Sequence, residues 1–241
     1  MARKHMSLAA NDFDWTGFPT REALADALAD AVAQKLATSI ERRGTALLAV
    51  SGGTTPGRFF EALSTRGIAW DRVTVTLVDE RFVPPSSPRS NAALVADKLL
   101  RNAAAAARFM PLYHPAENAA AAAAMAEQDL AALKWPLDAA ILGMGADGHT
   151  ASFFPDADTL STLLDPASAR RVLPVDAPGA GEPRLTLSTP RLIEAGFLAL
   201  HIEGAEKRAV FEAAMKDDED RKPIRAVIDA SPRPVKVFWA P

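Results

Sequence analysis

Residues 142–156 run "LGMGADGHTASFFPD" and set His149 behind Gly143, Gly145, Asp147 and Gly148. An imidazole titrates near neutrality, so it can take a proton from water and return one to a leaving oxygen. Asp147, two residues earlier, is a candidate partner to hold the ring, although that spacing by itself does not establish a contact. The glycines keep the turn thin enough for a substrate to approach, and Thr150, Ser152 and backbone N–H groups of the turn are candidate donors to an oxyanion. The competing structural reading makes His149 the cap of a helix that starts near Thr150.

Three more polar segments follow apolar runs. In "SGGTTPGR", Gly52 and Gly53 permit close backbone approach, while Thr55 can cap and Pro56 can open a helix whose unpaired N–H groups suit a phosphate. The segment has neither the lysine of a Walker loop nor the GxGxxG spacing, and ordinary strand-to-helix turns also carry glycine pairs. In "LVDERFVPPSSPRSN", Asp79, Glu80 and Arg81 stand at a strand end. There Arg81 either clamps a phosphate with its planar fork or joins a surface ion-pair cluster, the reading that suits Arg89. In "HIEGAEKRAVFEAAM", Lys207 falls in the first turn of a helix, either as an anion contact or as a solvated lysine. His5, His114 and His201 receive no chemical role: they sit in a terminus, a proline-flanked loop and an apolar strand pattern, and no HExxH-type spacing links them. No metal site is expected.

The elements that must position these groups alternate. Leu24, Leu28, Val32 and Leu36 form an apolar stripe on one helical face, and "TALLAV" is a strand buried on both sides. Strands are expected at 72–79, in "LDAAILG", "RLTL", "FLALHIE" and "VKVFWA", with helices between them; the alanine tracts at 103–107 and 119–124 read as helical. Segment 172–184 reads as an exposed loop or a hairpin without chemistry. This order predicts an α/β fold of three layers, a mostly parallel sheet with helices on both faces, whose ligand crevice lies beyond the carboxyl ends of the strands.

Bulk properties narrow the function. Thirty acidic against 27 basic side chains give a net charge of -3, and with no basic run or aromatic platform a nucleic-acid partner is not expected. No apolar run is long enough to span a membrane, no secretory leader is evident, and cysteine is absent, which excludes disulfides and thiolate chemistry. A cytoplasmic protein is expected. Residues 1–15 read as a mobile extension and 16–241 as one α/β domain.

The segments "AVSGGTTP", "LVDERFVP", "SPRSNAAL", "ILGMGADGHTASFFP", "LSTPRLIEA" and "IEGAEK" together resemble the 6-phosphogluconolactonases of the pentose phosphate pathway, from about Ala23 to Trp239. The resemblance implies a fold related to glucosamine-6-phosphate deaminases and ribose-5-phosphate isomerases, and cofactor-free hydrolysis of 6-phosphogluconolactone. It implies His149 as general base, Arg81 and Lys207 at the substrate phosphate, Gly52, Gly53 and Thr54 at the glycine-turn rim, and Asp79 and Asp147 as acidic positions of less defined role. The expected partner is a small sugar phosphate and the expected assembly a monomer or small homo-oligomer. Two rivals stand beside this reading. A related deaminase or isomerase is disfavoured because Phe154, Pro155 and Asp156 replace an "FNEP"-like continuation. A non-catalytic sugar-phosphate-binding protein would keep the cations but would not need His149.

Overall fold

The computed structural model describes residues 13–216 and 222–241. Its strands are β1 (Phe13–Gly17), β2 (Ala46–Val50), β3 (Val73–Leu77), β4 (Asp79–Arg81), β5 (Arg108–Met110), β6 (Ala139–Leu142), β7 (Val172–Val175), β8 (Arg184–Leu187), β9 (Leu198–Glu203) and β10 (Val235–Ala240). Its α-helices are α1 (Arg21–Arg43), α2 (Gly57–Ser64), α3 (Asn91–Lys98), α4 (Ala119–Ala131), α5 (Leu160–Leu163), α6 (Thr189–Ile193), α7 (Gly204–Lys216) and α8 (Pro223–Ala230).

Helix α1 forms for the reasons its sequence suggests. The Thr20 hydroxyl accepts the Ala23 N–H at the start, Gly44 closes the end in the left-handed conformation, and Leu24, Leu28, Val32 and Leu36 are all fully buried. Every residue of β2 and β6 is buried, so both faces of the central sheet are covered, as uninterrupted apolar strands require.

Seven strands pair in the order β1-β10-β9-β6-β2-β3-β5, and all six pairings are parallel. Strands β2, β3 and β5 run to one side and β6, β9 and β10 to the other, so the order reverses between β2 and β6. The chain diverges at the carboxyl ends of those two strands and leaves a crevice there.

Four expectations need correction. The strand expected at 72–79 is two: after β3 the chain crosses at Val78, whose N–H donates to Val50 O while its own carbonyl accepts the Leu187 N–H, and Asp79 begins a different sheet. That second sheet, β4-β8-β7, is antiparallel, and "RLTL" belongs to it instead of the parallel sheet. The alanine tract at 103–107 forms a short 3-10 helix over Asn102–Ala106, too short for alanine's propensity to propagate an α-helix. Thr55 does not cap α2; Pro56 occupies the N-cap position and no side chain bonds there.

At the sheet edge, β1 pairs with β10 in register from Phe13 to Gly17, and Trp15 stacks on Trp239 with ring centroids 5.9 Å apart. The extension expected over 1–15 therefore gives up its last three residues, 13–15, to a strand. The remainder of that segment, His5 included, lies outside the described residues.

Candidate active site

The crevice between β2 and β6 opens into a cavity of about 200 Å³. Its walls come from the β2 turn (Ser51 to Pro56), the β6 turn (Gly143 to Gly145, with His149), Asp79 and Arg81 of β4, Arg184 of β8, and Lys207 of α7. Seven of the eight residues selected from the sequence line it; the eighth, Asp147, touches the seventh, His149.

That contact is the best-defined feature of the cavity. Asp147 Oδ1 lies 2.6 Å from His149 Nδ1 and also accepts the His149 backbone N–H at 3.1 Å. Burial pushes the Asp147 carboxyl up, but the hydrogen bonds from the His149 ring and backbone and the attraction of the imidazole's charge outweigh it and hold the group at about 2. An ionised Asp147 keeps a proton on Nδ1, which leaves Nε2 as the nitrogen with a lone pair. Phe154 packs on the other side of the ring at 4.4 Å between centroids. The turn closes with Gly145 N–H donating to His149 O at 2.8 Å. A Cβ on Gly145 would lie 2.1 Å from His149 Nδ1 and 2.5 Å from Asp147 Oδ1, so only glycine leaves room for the pair. No helix starts at Thr150; residues 150–153 form a tight turn with a Thr150–Phe153 bridge, which removes the capping role considered for His149.

The hydroxyls proposed for an oxyanion are committed elsewhere. Thr150 donates to Gly143 O at 2.8 Å, and the buried Ser152 donates to Asp79 Oδ2 at 2.7 Å. Their work is to tie the β6 turn to its own strand and to β4. The N–H groups of Gly52, Gly53 and Thr54 find no acceptor among the described residues and belong to the cavity wall, so the β2 turn is the better source of donors. Gly52 is required for packing: a Cβ there would meet Asn91 Oδ1 at 1.9 Å.

The cationic side is built by the small antiparallel sheet. Arg81 and Arg184 are directly paired across β4 and β8, and Asp79 faces Thr186 two positions along on the same face. Arg81 is aimed by carbonyl and amide oxygens, Arg89 O at 2.6 Å and Asn91 Oδ1 at 3.2 Å, with Glu182 at 3.4 Å from its Nε. Buried Glu80 fixes this corner by accepting the N–H groups of Arg81, Asn91 and Ala92 and the Ser90 hydroxyl. Burial lowers the pKa of Arg184 below the usual guanidinium range; Asp79 opposes that shift and the facing Arg81 cation adds to it. Two guanidiniums held opposite each other favour an anion between them. Lys207, in the same cavity wall, donates from Nζ to Met144 O at 2.5 Å, so this lysine is anchored to the β6 turn.

Sequence reasoning missed Arg184, which ends the segment read as lacking chemistry; the hairpin alternative for that segment is correct, but its last residue faces the cavity. It also missed Asn91 and His201, both cavity-lining. A charged residue opening an apolar strand was the available signal for Arg184. Among the described residues, no three His, Cys, Asp or Glu side chains cluster as metal ligands.

The family profile described as glucosamine-6-phosphate isomerases/6-phosphogluconolactonase matches residues 19–239. A protein named 6-phosphogluconolactonase from Mesorhizobium japonicum is 63% identical over 241 residues, covering 100% of both chains. The chain belongs to the 6-phosphogluconolactonase family. A second 6-phosphogluconolactonase, from Rhizobium meliloti, is 55% identical over 93% of this chain and 97% of its own. The crystal structure of a 6-phosphogluconolactonase from Shewanella baltica superposes with a TM-score of 0.91 at 36% identity, covering 95% of this chain and 98% of that one. In 6-phosphogluconolactonase terms, the parallel sheet bearing the histidine turn and the small sheet bearing the arginines are both part of a fold shared over nearly the whole chain.

Proposed function

We propose that this chain hydrolyses 6-phospho-D-glucono-1,5-lactone to 6-phospho-D-gluconate, a carboxylic ester hydrolysis in the pentose phosphate pathway. The observation that carries the reading is that His149, held by Asp147, shares one cavity with three cations, Arg81, Arg184 and Lys207. In this reading the cations hold the 6-phosphate and thereby fix the lactone carbonyl against His149, so binding energy far from the reacting carbon lowers the barrier. His149 Nε2 takes a proton from water as its oxygen adds to C1, and N–H groups of the β2 turn receive the charge that develops on the carbonyl oxygen. Collapse breaks the bond between C1 and the ring oxygen. The imidazolium returns its proton to that oxygen, which becomes the C5 hydroxyl. Asp147 keeps the ring in one tautomer and steadies its charged form.

An aldose–ketose or deamination route needs a base that moves a proton between carbons. Of the residues lining the cavity only Asp79 is a carboxylate, and its Oδ2 is taken by the Ser152 hydroxyl at 2.7 Å; Phe154, packed against His149, supplies no such base. Operation in the cytoplasm as a monomer or small homo-oligomer belongs to the same proposal.

The test is turnover of freshly generated 6-phosphoglucono-1,5-lactone above its spontaneous hydrolysis, with chelator present and unphosphorylated gluconolactone alongside. Fast, phosphate-dependent turnover is expected. Background hydrolysis accompanied by tight binding of 6-phosphogluconate would assign the chain to the non-catalytic sugar-phosphate binders.

A further inference from the structure

His201 is 3% exposed and sits in the wall of the cavity, on β9, between the apolar residues Leu200 and Ile202. Its Nε2 lies 3.2 Å from Glu203 Oε1, and the other oxygen of that carboxylate, Oε2, faces Arg21 Nε at 3.4 Å. A carboxylate paired with a guanidinium accepts, so Nε2 carries a hydrogen, and in the singly protonated ring Nδ1 is the nitrogen with a lone pair. The ring is held edge-on to Phe59, with centroids 6.1 Å apart. Nδ1 is buried and has no hydrogen-bond partner.

Buried polar atoms without partners are few in native proteins, and each calls for an explanation. Among the described residues such side-chain atoms belong to Arg43, His114, Arg171, Arg184, Arg191 and His201; of these, only Arg184 and His201 are cavity residues. Arg184 is a donor and suits the phosphate. Nδ1 of His201 is an acceptor, so its complement must bring a hydrogen, which a phosphate dianion does not. The groups on a sugar lactone that do so are its ring hydroxyls.

We infer that His201 is a specificity-determining residue whose Nδ1 accepts a hydrogen bond from a ring hydroxyl of the bound polyhydroxy lactone, with Glu203 and Arg21 setting the tautomer. The inference rests on the proposed lactonase reading. It assigns the cavity two recognition ends: cations for the phosphate, and the His201 imidazole for the polyol.

The experiment compares wild type, His201→Phe, which keeps an aromatic ring against Phe59 without an acceptor, and His201→Gln, which restores one. Each is assayed on 6-phosphoglucono-1,5-lactone and on its 2-, 3- and 4-deoxy analogues, with calorimetric binding of 6-phosphogluconate and the matching deoxy acids. Wild type should prefer the parent over one of the deoxy compounds by about fivefold to tenfold, the size of one neutral hydrogen bond. His201→Phe should lose that preference, and His201→Gln should recover part of it. A variant that weakens parent and deoxy ligands equally, or leaves all of them unaltered, overturns the inference in either assay. Absence of turnover by wild type instead defeats the lactonase reading, while the binding comparison still decides the role of His201.

Discussion

The histidine turn after β6 and the arginine pair on β4 and β8 serve one cavity but are built in opposite ways. The turn is local: Asp147 and His149 are two residues apart, and the contacts that hold them, from Gly145 N–H to Asp147 Oδ1, close within five residues. The arginine pair is assembled from afar, with Arg81 and Arg184 brought together by antiparallel pairing of two strands that share no local sequence. Local construction makes a group easy to recognise and sensitive to one misplaced atom. Distant construction makes it robust to local change and invisible until the chain folds.

The sharpest way to break the comparison is to remove the reacting group. His149→Ala should lower kcat by about 10²–10⁴ with KM little changed, as loss of a general base does; steady-state assay over the spontaneous background reads it, and a variant with wild-type kcat would move the chemistry elsewhere. Next comes the cationic end. Arg184→Met and Arg81→Met should each raise KM for the phosphorylated lactone by about tenfold to a hundredfold, the worth of a charge-assisted hydrogen bond, while any slow reaction of unphosphorylated gluconolactone stays put. Equal losses on both substrates would mean that the small sheet supports the fold and not the phosphate.

Gly145→Ala separates local precision from stability. The added methyl displaces the Asp147–His149 pair, so kcat should drop by about tenfold, a modest part of the general-base contribution, with the thermal midpoint changed by little. A variant that melts early but keeps its kcat would show the turn to be structural. The smallest effect is on acid stability. Asp147 titrates at about 2 in the folded chain against an ordinary 3.8, so its pairing stabilises the fold above pH 3.8 and that contribution is lost as pH falls toward 2. The carboxylate is 45% exposed, so solvent screens much of the effect. Comparing wild type with Asp147→Asn by urea unfolding at pH 6 and pH 3 should show the gap between them narrowing at the lower pH; a constant gap would place the interaction's worth outside this titration.

Much of the site was legible because glycine turns at strand exits write themselves into short stretches. Glycines at strand exits and a histidine beside an aspartate announce the β2 and β6 turns, and Lys207 follows from its place at the start of α7. The oxyanion donors assigned to Thr150 and Ser152 were misplaced, since hydroxyls take whichever acceptor folding brings nearest, here Gly143 O and Asp79 Oδ2. His201 looked apolar by context, because a strand pattern records which side of a sheet a residue faces and not what lies beyond it.

By itself, the sequence determined the alternation of strands and helices, the α1 stripe, and the two glycine turns with the Asp147–His149 pair, because these depend on periodicity and on contacts only a few residues long. Tertiary structure alone decided that "DER" and "RLTL" leave the parallel sheet to pair with each other, and so that Arg184 meets Arg81. Strand pairing satisfies backbone N–H and C=O groups with whatever strand arrives alongside, and nothing within three or four residues of Arg184 specifies which strand that will be.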